Sequence, residues 1–423
     1  MTTKTMTGDR LHIGFFGRRN AGKSSLINAF AGQRVAIVSD TPGTTTDPIF
    51  KSMELAPLGP VVLIDTAGMD DLSHPLGEER KRRASEILGR TDLAILVVDS
   101  SWREFSFEDR LISRIREEKI PFIIAVSKID EETAGQIGNW PEIGTTVRVS
   151  ARNGAGLAEL KQAIIGNAPK EWEPPFLRDL IRPGDIVLLV TPMDLGAPRG
   201  RLIMPQIKAL RDILDGDAIP VMCKERELQL ALKSLGVPPA LVITDSQVFP
   251  QAAADVPEDI PLTSFSILSI RQKGNLPKLV EGIKVVRQLK AGDKVLIAES
   301  CSHHPLEDDI GRVKIPRWLN HQAGGGLKID TVPGSDYPEN IGDYKLVVHC
   351  GACTLNRREM LRRQEIPERA GVAMTNYGIL IAFLKGVFPR ALKPFNEIYA
   401  GLETKRSKDD VELRKRMARS TDI

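Results

Sequence analysis

The stretch Gly17-Arg-Arg-Asn-Ala-Gly-Lys-Ser24 constrains this chain more than any other, because it satisfies G-x-x-x-x-G-K-[ST]. A strand-like apolar run at 12–17 leads into it and a helix-like run follows. Glycines are needed where such a loop wraps phosphate, since a side chain would block close backbone approach. The loop N–H groups and the helix N-terminus then favour an anion. Lys23 is expected to reach the β- and γ-phosphate oxygens, and the Ser24 hydroxyl to ligate Mg²⁺. Gly17, Asn20, Ala21, Gly22, Lys23, Ser24 and Ser25 are therefore the expected phosphate-binding set.

A P-loop alone marks many nucleotide-binding proteins, but three further elements follow it in order. Asp65 ends the apolar run Val-Val-Leu-Ile-Asp, where an acidic group near Mg²⁺ is expected, and the Gly68 N–H can sense a γ-phosphate. Ser127-Lys128-Ile129-Asp130 ends another run and resembles the guanine-selective N-K-x-D motif. There the Asp130 carboxylate accepts both guanine N1–H and N2–H, a pair that adenine does not offer. Ser127 replaces the usual Asn, which is expected to weaken the tie between this loop and the P-loop. Ser150-Ala151 ends the next run and resembles the backbone clasp on guanine O6.

The loop Thr41-Pro-Gly-Thr-Thr-Thr-Asp47 resembles the G-T-T-R-D stretch of the bacterial TrmE, Era and EngA GTPases. Aligned on Gly43 and Asp47, it makes Thr45 a Mg²⁺ ligand. After Gly68 stands Met69, where Ras-like enzymes carry the Gln that orients water. In the TrmE-type relatives a P-loop Asn helps hold K⁺ in place of an arginine finger, and Asn20 occupies that position. The resemblance thus implies slow, K⁺-stimulated GTP hydrolysis with Lys23, Asn20, Thr45 and Gly68 in catalytic roles.

At 423 residues the chain is too long for one ordinary core. The expected fold is α/β: a P-loop GTPase domain over 1–170, followed by two further α/β domains with mostly parallel sheets. Apolar runs at 61–65, 92–100, 121–128 and 146–151 alternate with amphipathic stretches at 78–90 and 107–118, which favours a parallel sheet covered on both faces. A helix at 156–168 closes the unit. Paired prolines after Lys170 mark a linker. A middle domain at 178–264 has strands at 185–190, 219–223 and 240–244 and helices at 201–214 and 227–235. It carries no catalytic cluster and reads as a dimerisation scaffold. The third domain, 265–423, has a helix at 276–289, strands at 293–298 and 344–348, a helix from Cys353 and a charged helical tail at 405–419.

No apolar run approaches the roughly 20 residues that span a bilayer, and the N-terminus resembles no secretory signal. A net charge of +3 is too small to argue for nucleic acid or membrane. A cytoplasmic setting is expected. There the four cysteines suggest a metal site rather than disulfides. Cys301-Ser-His303 follows one strand-like run and His349-Cys350-Gly-Ala-Cys353 ends another. Ligands of parallel sheets gather beyond the carboxyl strand ends, so both groups are expected at one crevice. Residue types alone leave two options: a tetrahedral zinc site, or a 4Fe-4S cluster on three thiolates. Cys223 stands apart and reads as a buried apolar residue.

A TrmE/Era-like GTPase domain, a middle domain and C-x-H…H-C-x-x-C together resemble the HydF family of FeFe-hydrogenase maturation GTPases over essentially the whole chain. The string from Asp309 to Trp318 also resembles that family. The resemblance implies a 4Fe-4S cluster on Cys301, Cys350 and Cys353, with His303, His349 or Asp308 as fourth ligand or cargo contact. It further implies a homodimeric scaffold that receives a diiron precursor from two radical-SAM maturases and delivers it to apo FeFe-hydrogenase. The competing expectation is a ribosome- or tRNA-associated GTPase with a structural zinc domain, although no basic, aromatic-rich RNA surface is evident. A redox enzyme acting on its own substrate is a third, with no second cofactor motif behind it.

Overall fold

In a computed structural model of the chain, residues 7–32, 49–66, 85–131, 144–170, 174–192, 202–300, 309–334 and 337–400 are described. They form three sheets within two compact units, one of residues 1–173 with 355–362 and the other of 174–354 with 363–423.

The first unit is built on a six-stranded sheet in the order β2-β3-β1-β4-β5-β6. Its strands are β1 (Leu11–Phe16), β2 (Ile49–Leu55), β3 (Gly59–Asp65), β4 (Leu93–Asp99), β5 (Phe122–Ser127) and β6 (Thr145–Arg148). All neighbours are parallel except the β2–β3 pair. Central β4 reads Leu-Ala-Ile-Leu-Val-Val-Asp and is buried throughout, as expected of a parallel strand covered on both faces. Successive side chains alternate between two cores. Ile13, Phe15, Leu63 and Ile95 pack with Leu26 and Ile27 of α1 (Lys23–Phe30) and Leu160 and Ile164 of α3 (Leu157–Asn167). Phe16, Ile64, Leu96 and Val98 pack with Leu111, Ile112 and Ile115 of α2 (Ser106–Glu117).

The second unit holds two four-stranded sheets, both wholly parallel. One has the order β10-β9-β7-β8, from β7 (Ile186–Val190), β8 (Ile219–Cys223), β9 (Leu241–Thr244) and β10 (Leu262–Ser264). The other has the order β12-β11-β13-β14, from β11 (Lys294–Glu299), β12 (Lys328–Pro333), β13 (Leu346–His349) and β14 (Ala373–Asn376). Helix α4 (Met204–Asp215) links β7 to β8, and α5 (Phe265–Lys273) follows β10. The boundary expected near 265 falls inside this unit. Arg390 donates to the carbonyls of Ala253, Val256 and Pro257, joining the chain end to the middle segment.

Several expectations are corrected. The helix expected over 276–289 is two short ones, Leu276–Glu281 and Ile283–Val286. Gly282 lies between them, so close to β14 that a Cβ would stand 2.1 Å from the Met374 carbonyl oxygen. The helix expected from Cys353 is α6 (Arg357–Arg369), beginning four residues later. Asn356 caps it, its side-chain oxygen accepting the Glu359 N–H at 3.0 Å. Strands β2, β10, β12 and β14 were not anticipated. Cys223 is half-buried rather than buried, on β8 at the sheet edge. Burial, with Glu227 and Glu225 nearby, pushes its thiol up to about 11, so it stays protonated at neutral pH. The expected tail helix at 405–419 lies outside the described residues. Among the described residues, no helix is long and apolar enough to cross a membrane.

Candidate functional site

Parallel β1, β3, β5 and β6 bring Gly17, Asp65, Ser127 and Ser150 to the carboxyl end of the first sheet. Gly17 takes φ +141°, and a Cβ there would stand 2.3 Å from the Val97 carbonyl oxygen. Only glycine fits that bend. Asn20 (φ +63°) and Gly22 (φ +91°) complete the turn, and Gly22 caps α1. Ser24 and Ser25 are exposed in the first turn of α1. Lys23 is 5% exposed, its Nζ donating to the Gly17 carbonyl at 2.6 Å and the Arg18 carbonyl at 2.8 Å. The ammonium thus lies across the inside of the loop. Arg18 points away, paired at 2.6 Å with fully buried Glu108 and stacked 4.9 Å from the Trp102 ring centroid.

Ser127 stands where the guanine motif usually carries Asn. Its hydroxyl lies 2.6 Å from the Ala21 carbonyl oxygen and 3.2 Å from that of Val98. The base-recognition loop is therefore tied directly to the P-loop without an Asn. Lys128 (φ +57°) pairs with Asp99 at 2.7 Å. Burial alone would raise the Asp99 carboxyl, but hydrogen bonds from Lys128 and Ser101 outweigh it and hold it below the usual range. Asp130 is exposed beside Ser150, whose hydroxyl holds the Asp130 carboxyl below its usual range. An ionised, exposed acceptor is what guanine N1–H and N2–H require. Ala151 follows the fully buried Ser150 beyond the carboxyl end of β6. Thr45, Gly68 and Met69 lie outside the described residues.

The second cluster sits at the carboxyl end of the third sheet. Strands β11 and β13 are parallel neighbours with Ala298 opposite His349. Ser300, the residue before Cys301, donates its N–H to Cys350 Sγ at 3.2 Å, and its hydroxyl lies 3.1 Å from that sulfur. The Thr354 hydroxyl donates to the Ser300 carbonyl at 3.3 Å. Ala352, in the left-handed region at φ +54°, turns the chain between Cys350 and Cys353. Both cysteines are half-buried and free of disulfides. Cys301, His303 and Asp308 lie outside the described residues. Among those described, no group of three or more His, Cys, Asp or Glu side chains could hold a metal ion.

His349 is fully buried, with both ring nitrogens committed. Arg363 Nε donates to its Nε2 at 2.9 Å. Arginine has no acceptor, so Nε2 supplies the lone pair and the proton sits on Nδ1. Nδ1–H then donates to the Cys350 carbonyl at 2.9 Å. In this arrangement His349 has no lone pair left for iron; it orients the cysteine loop instead.

Sequence reasoning missed the side chains around Cys350. Arg363 is 1% exposed and lies 4.6 Å from the Tyr337 ring centroid. Burial pushes the Tyr337 hydroxyl up to about 12. Burial likewise raises that of Tyr377, with Cys350 and Glu299 adding to it, so the Tyr377 hydroxyl stays a donor. That hydroxyl is buried and has no hydrogen-bond partner among the described residues. A Cβ on Gly311 would stand 2.2 Å from it and 2.8 Å from Glu299 Oε1. Arg312 pairs with that glutamate at 2.8 Å. Of these residues, Gly311 and Arg312 carried a sequence signal, through the family-like string from Asp309 to Trp318.

These two sites define a class: a P-loop GTPase domain joined to a segment that gathers cysteines at a parallel sheet end. Residues 12–128 match the model described as 50S ribosome-binding GTPase. Residues 176–274 match the Hydrogen maturase F dimerization domain, and 277–394 its tetramerization domain. The chain belongs to the Hydrogen maturase F family. Over the GTPase segment it is 40% identical across 152 residues to the tRNA modification GTPase MnmE of Methylococcus capsulatus, covering 36% of this chain and 33% of that one. It is 32% identical across 171 residues to GTPase Era of Carboxydothermus hydrogenoformans, covering 39% and 56%. The chain thus spans between a third and just over half of these relatives' lengths. Among solved structures, the G domain of the T. maritima FeoB iron transporter aligns with 37% of this chain and 98% of its own, at 28% identity and TM-score 0.31.

Proposed function

We propose that this chain is a GTP-hydrolysing scaffold that holds a 4Fe-4S cluster and delivers a diiron precursor to apo FeFe-hydrogenase. The observation that carries the reading is the Cys350 sulfur, receiving the N–H of Ser300 from the adjacent strand end, in the segment matching Hydrogen maturase F. The donor set fits such a cluster: thiols outside any disulfide at Cys350 and Cys353, an amide donor on sulfur, and nearby a Tyr377 hydroxyl with no hydrogen-bond partner among the described residues. Cys301 supplies the third thiolate. Held by three thiolates, a 4Fe-4S cluster leaves one iron for an exchangeable ligand. The protein's own part is to fix the sulfurs, offer donors and limit water. His303 and Asp308 are the candidates for fourth ligand or cargo contact, and two radical-SAM maturases the suppliers of cargo.

In the GTPase unit, the loop from Gly17 to Ser24 takes the phosphates, Ser24, Thr45 and Asp65 take Mg²⁺, and Asp130 selects guanine. Asn20 is assigned to K⁺, which neutralises transition-state charge where an arginine finger would act. Self-association is in keeping with both matched segment types. Ile219, Leu230 and Val237 are more than half exposed on the dimerization segment, which supports a homodimer there. A cytoplasmic location suits reduced cysteines. The tRNA- or ribosome-associated reading draws only on the GTPase segment, whereas residues 176–394 point elsewhere.

Anaerobic purification followed by iron analysis tests the cluster. A brown protein with about four irons per chain, bleached by Cys301→Ala, Cys350→Ala or Cys353→Ala, is the expected result. A colourless protein with one zinc overturns it.

A further inference from the structure

We propose that Lys273 is a positioning residue that fixes the Cys350–Cys353 loop and, through its charge, raises the reduction potential of the cluster. This rests on the cluster reading above. Lys273 ends α5, the helix capped by Ser264, whose hydroxyl accepts the Ile267 N–H at 3.3 Å. Almost every side chain of that helix is buried, and Lys273 itself is 4% exposed. Its Nζ donates to the Ala352 carbonyl at 3.1 Å and the Cys353 carbonyl at 3.3 Å. These carbonyls lie on either side of the Cys353 Cα, directly after the left-handed Ala352, so one ammonium holds two successive peptides of the loop.

The contact spans 80 residues of sequence and joins the two family-matched segments. Lys273 is next to last in the dimerization match, and both cysteines fall in the tetramerization match. The helix of one segment therefore sets the backbone of the other's ligand loop. Desolvating an ammonium is unfavourable unless negative potential meets it. Carbonyl dipoles supply part of that here. Three thiolates around a 4Fe-4S core give a net charge of −1 oxidised and −2 reduced. A fixed cation buried against a ligating cysteine favours the more negative state, and net charge and hydrogen bonding are among the terms that set such potentials.

The test compares wild type, Lys273→Gln and Lys273→Arg, each purified anaerobically as the full chain, by iron content and EPR-monitored redox titration. Full iron content is expected in all three. Lys273→Gln should titrate at a lower midpoint, with the reduced-to-oxidised ratio at a given potential falling at least tenfold, about 59 mV for one electron. Lys273→Arg should stay within twofold of wild type. Loss of the cluster from Lys273→Gln with retention in Lys273→Arg also supports the charge. An unchanged midpoint in Lys273→Gln overturns the proposal, as does an equal shift or equal cluster loss in both variants. A wild type without a cluster overturns the parent reading instead.

Discussion

Arg363 donates its Nε–H to His349 Nε2 across 2.9 Å, with both side chains essentially out of water. That hydrogen bond sets the tautomer of the histidine and occupies the lone pair that an iron would need. His349→Gln is therefore expected to keep its full iron content and an unchanged EPR spectrum. Stability should fall by about 1–3 kcal/mol, because the amide does not span both the Arg363 guanidinium and the Cys350 carbonyl as the ring does. Iron analysis and a denaturation midpoint check this; loss of iron or a changed spectrum would show ligation.

Ser127 ties the base-recognition loop to the P-loop through the Ala21 carbonyl. Ser127→Ala should weaken GTP binding about three- to tenfold, the worth of one neutral hydrogen bond. Preference for GTP over ATP should persist, since Asp130 is untouched. Fluorescent-nucleotide titration reads both. Unaltered affinity would mean the tie has no role in binding.

Burial drives the Asp92 carboxyl up to about 7, against lowering by the His12 amide and the Asn356 side chain. Its folded value thus exceeds its unfolded value, so the folded state holds the extra proton between about pH 4 and 7. Stability from this group falls as pH rises through that window. The unfolding free energy of the full chain should fall between about pH 5 and 7, by an amount on the order of a few kcal/mol, and level off above that. Asp92→Asn should flatten the dependence, and an equally steep one in that variant would refute the assignment.

Asn20 stands exposed in the P-loop at φ +63°. If it holds K⁺, GTP turnover should be at least tenfold faster in K⁺ than in Na⁺, and Asn20→Ala should erase the difference. Steady-state phosphate release in the two salts measures it. Equal rates in wild type would remove K⁺ from the account.

The nucleotide site was legible because its constraints are local. Gly17 and Gly22 adopt backbone angles that favour glycine, and the buried strands are nearly continuous apolar runs. Strands β12 (Lys-Ile-Asp-Thr-Val-Pro) and β14 (Ala-Met-Thr-Asn) escaped because they hold few apolar residues and are carried by their neighbours in the sheet. The environment of Cys350 escaped for a different reason. Lys273 and Arg363 are ordinary charged residues on helices, and only folding brings them to the cysteine loop. At Ser127 the sequence shows only a departure from the motif, and folding is what brings its hydroxyl to the Ala21 carbonyl.

The most direct measurement is hydrogen evolution by apo FeFe-hydrogenase after incubation with diiron-loaded protein. Wild type should activate the hydrogenase, and Cys350→Ala, loaded in parallel, should activate it at least a hundredfold less. Equal activation by Cys350→Ala, or none by fully loaded wild type, would contradict the scaffold account.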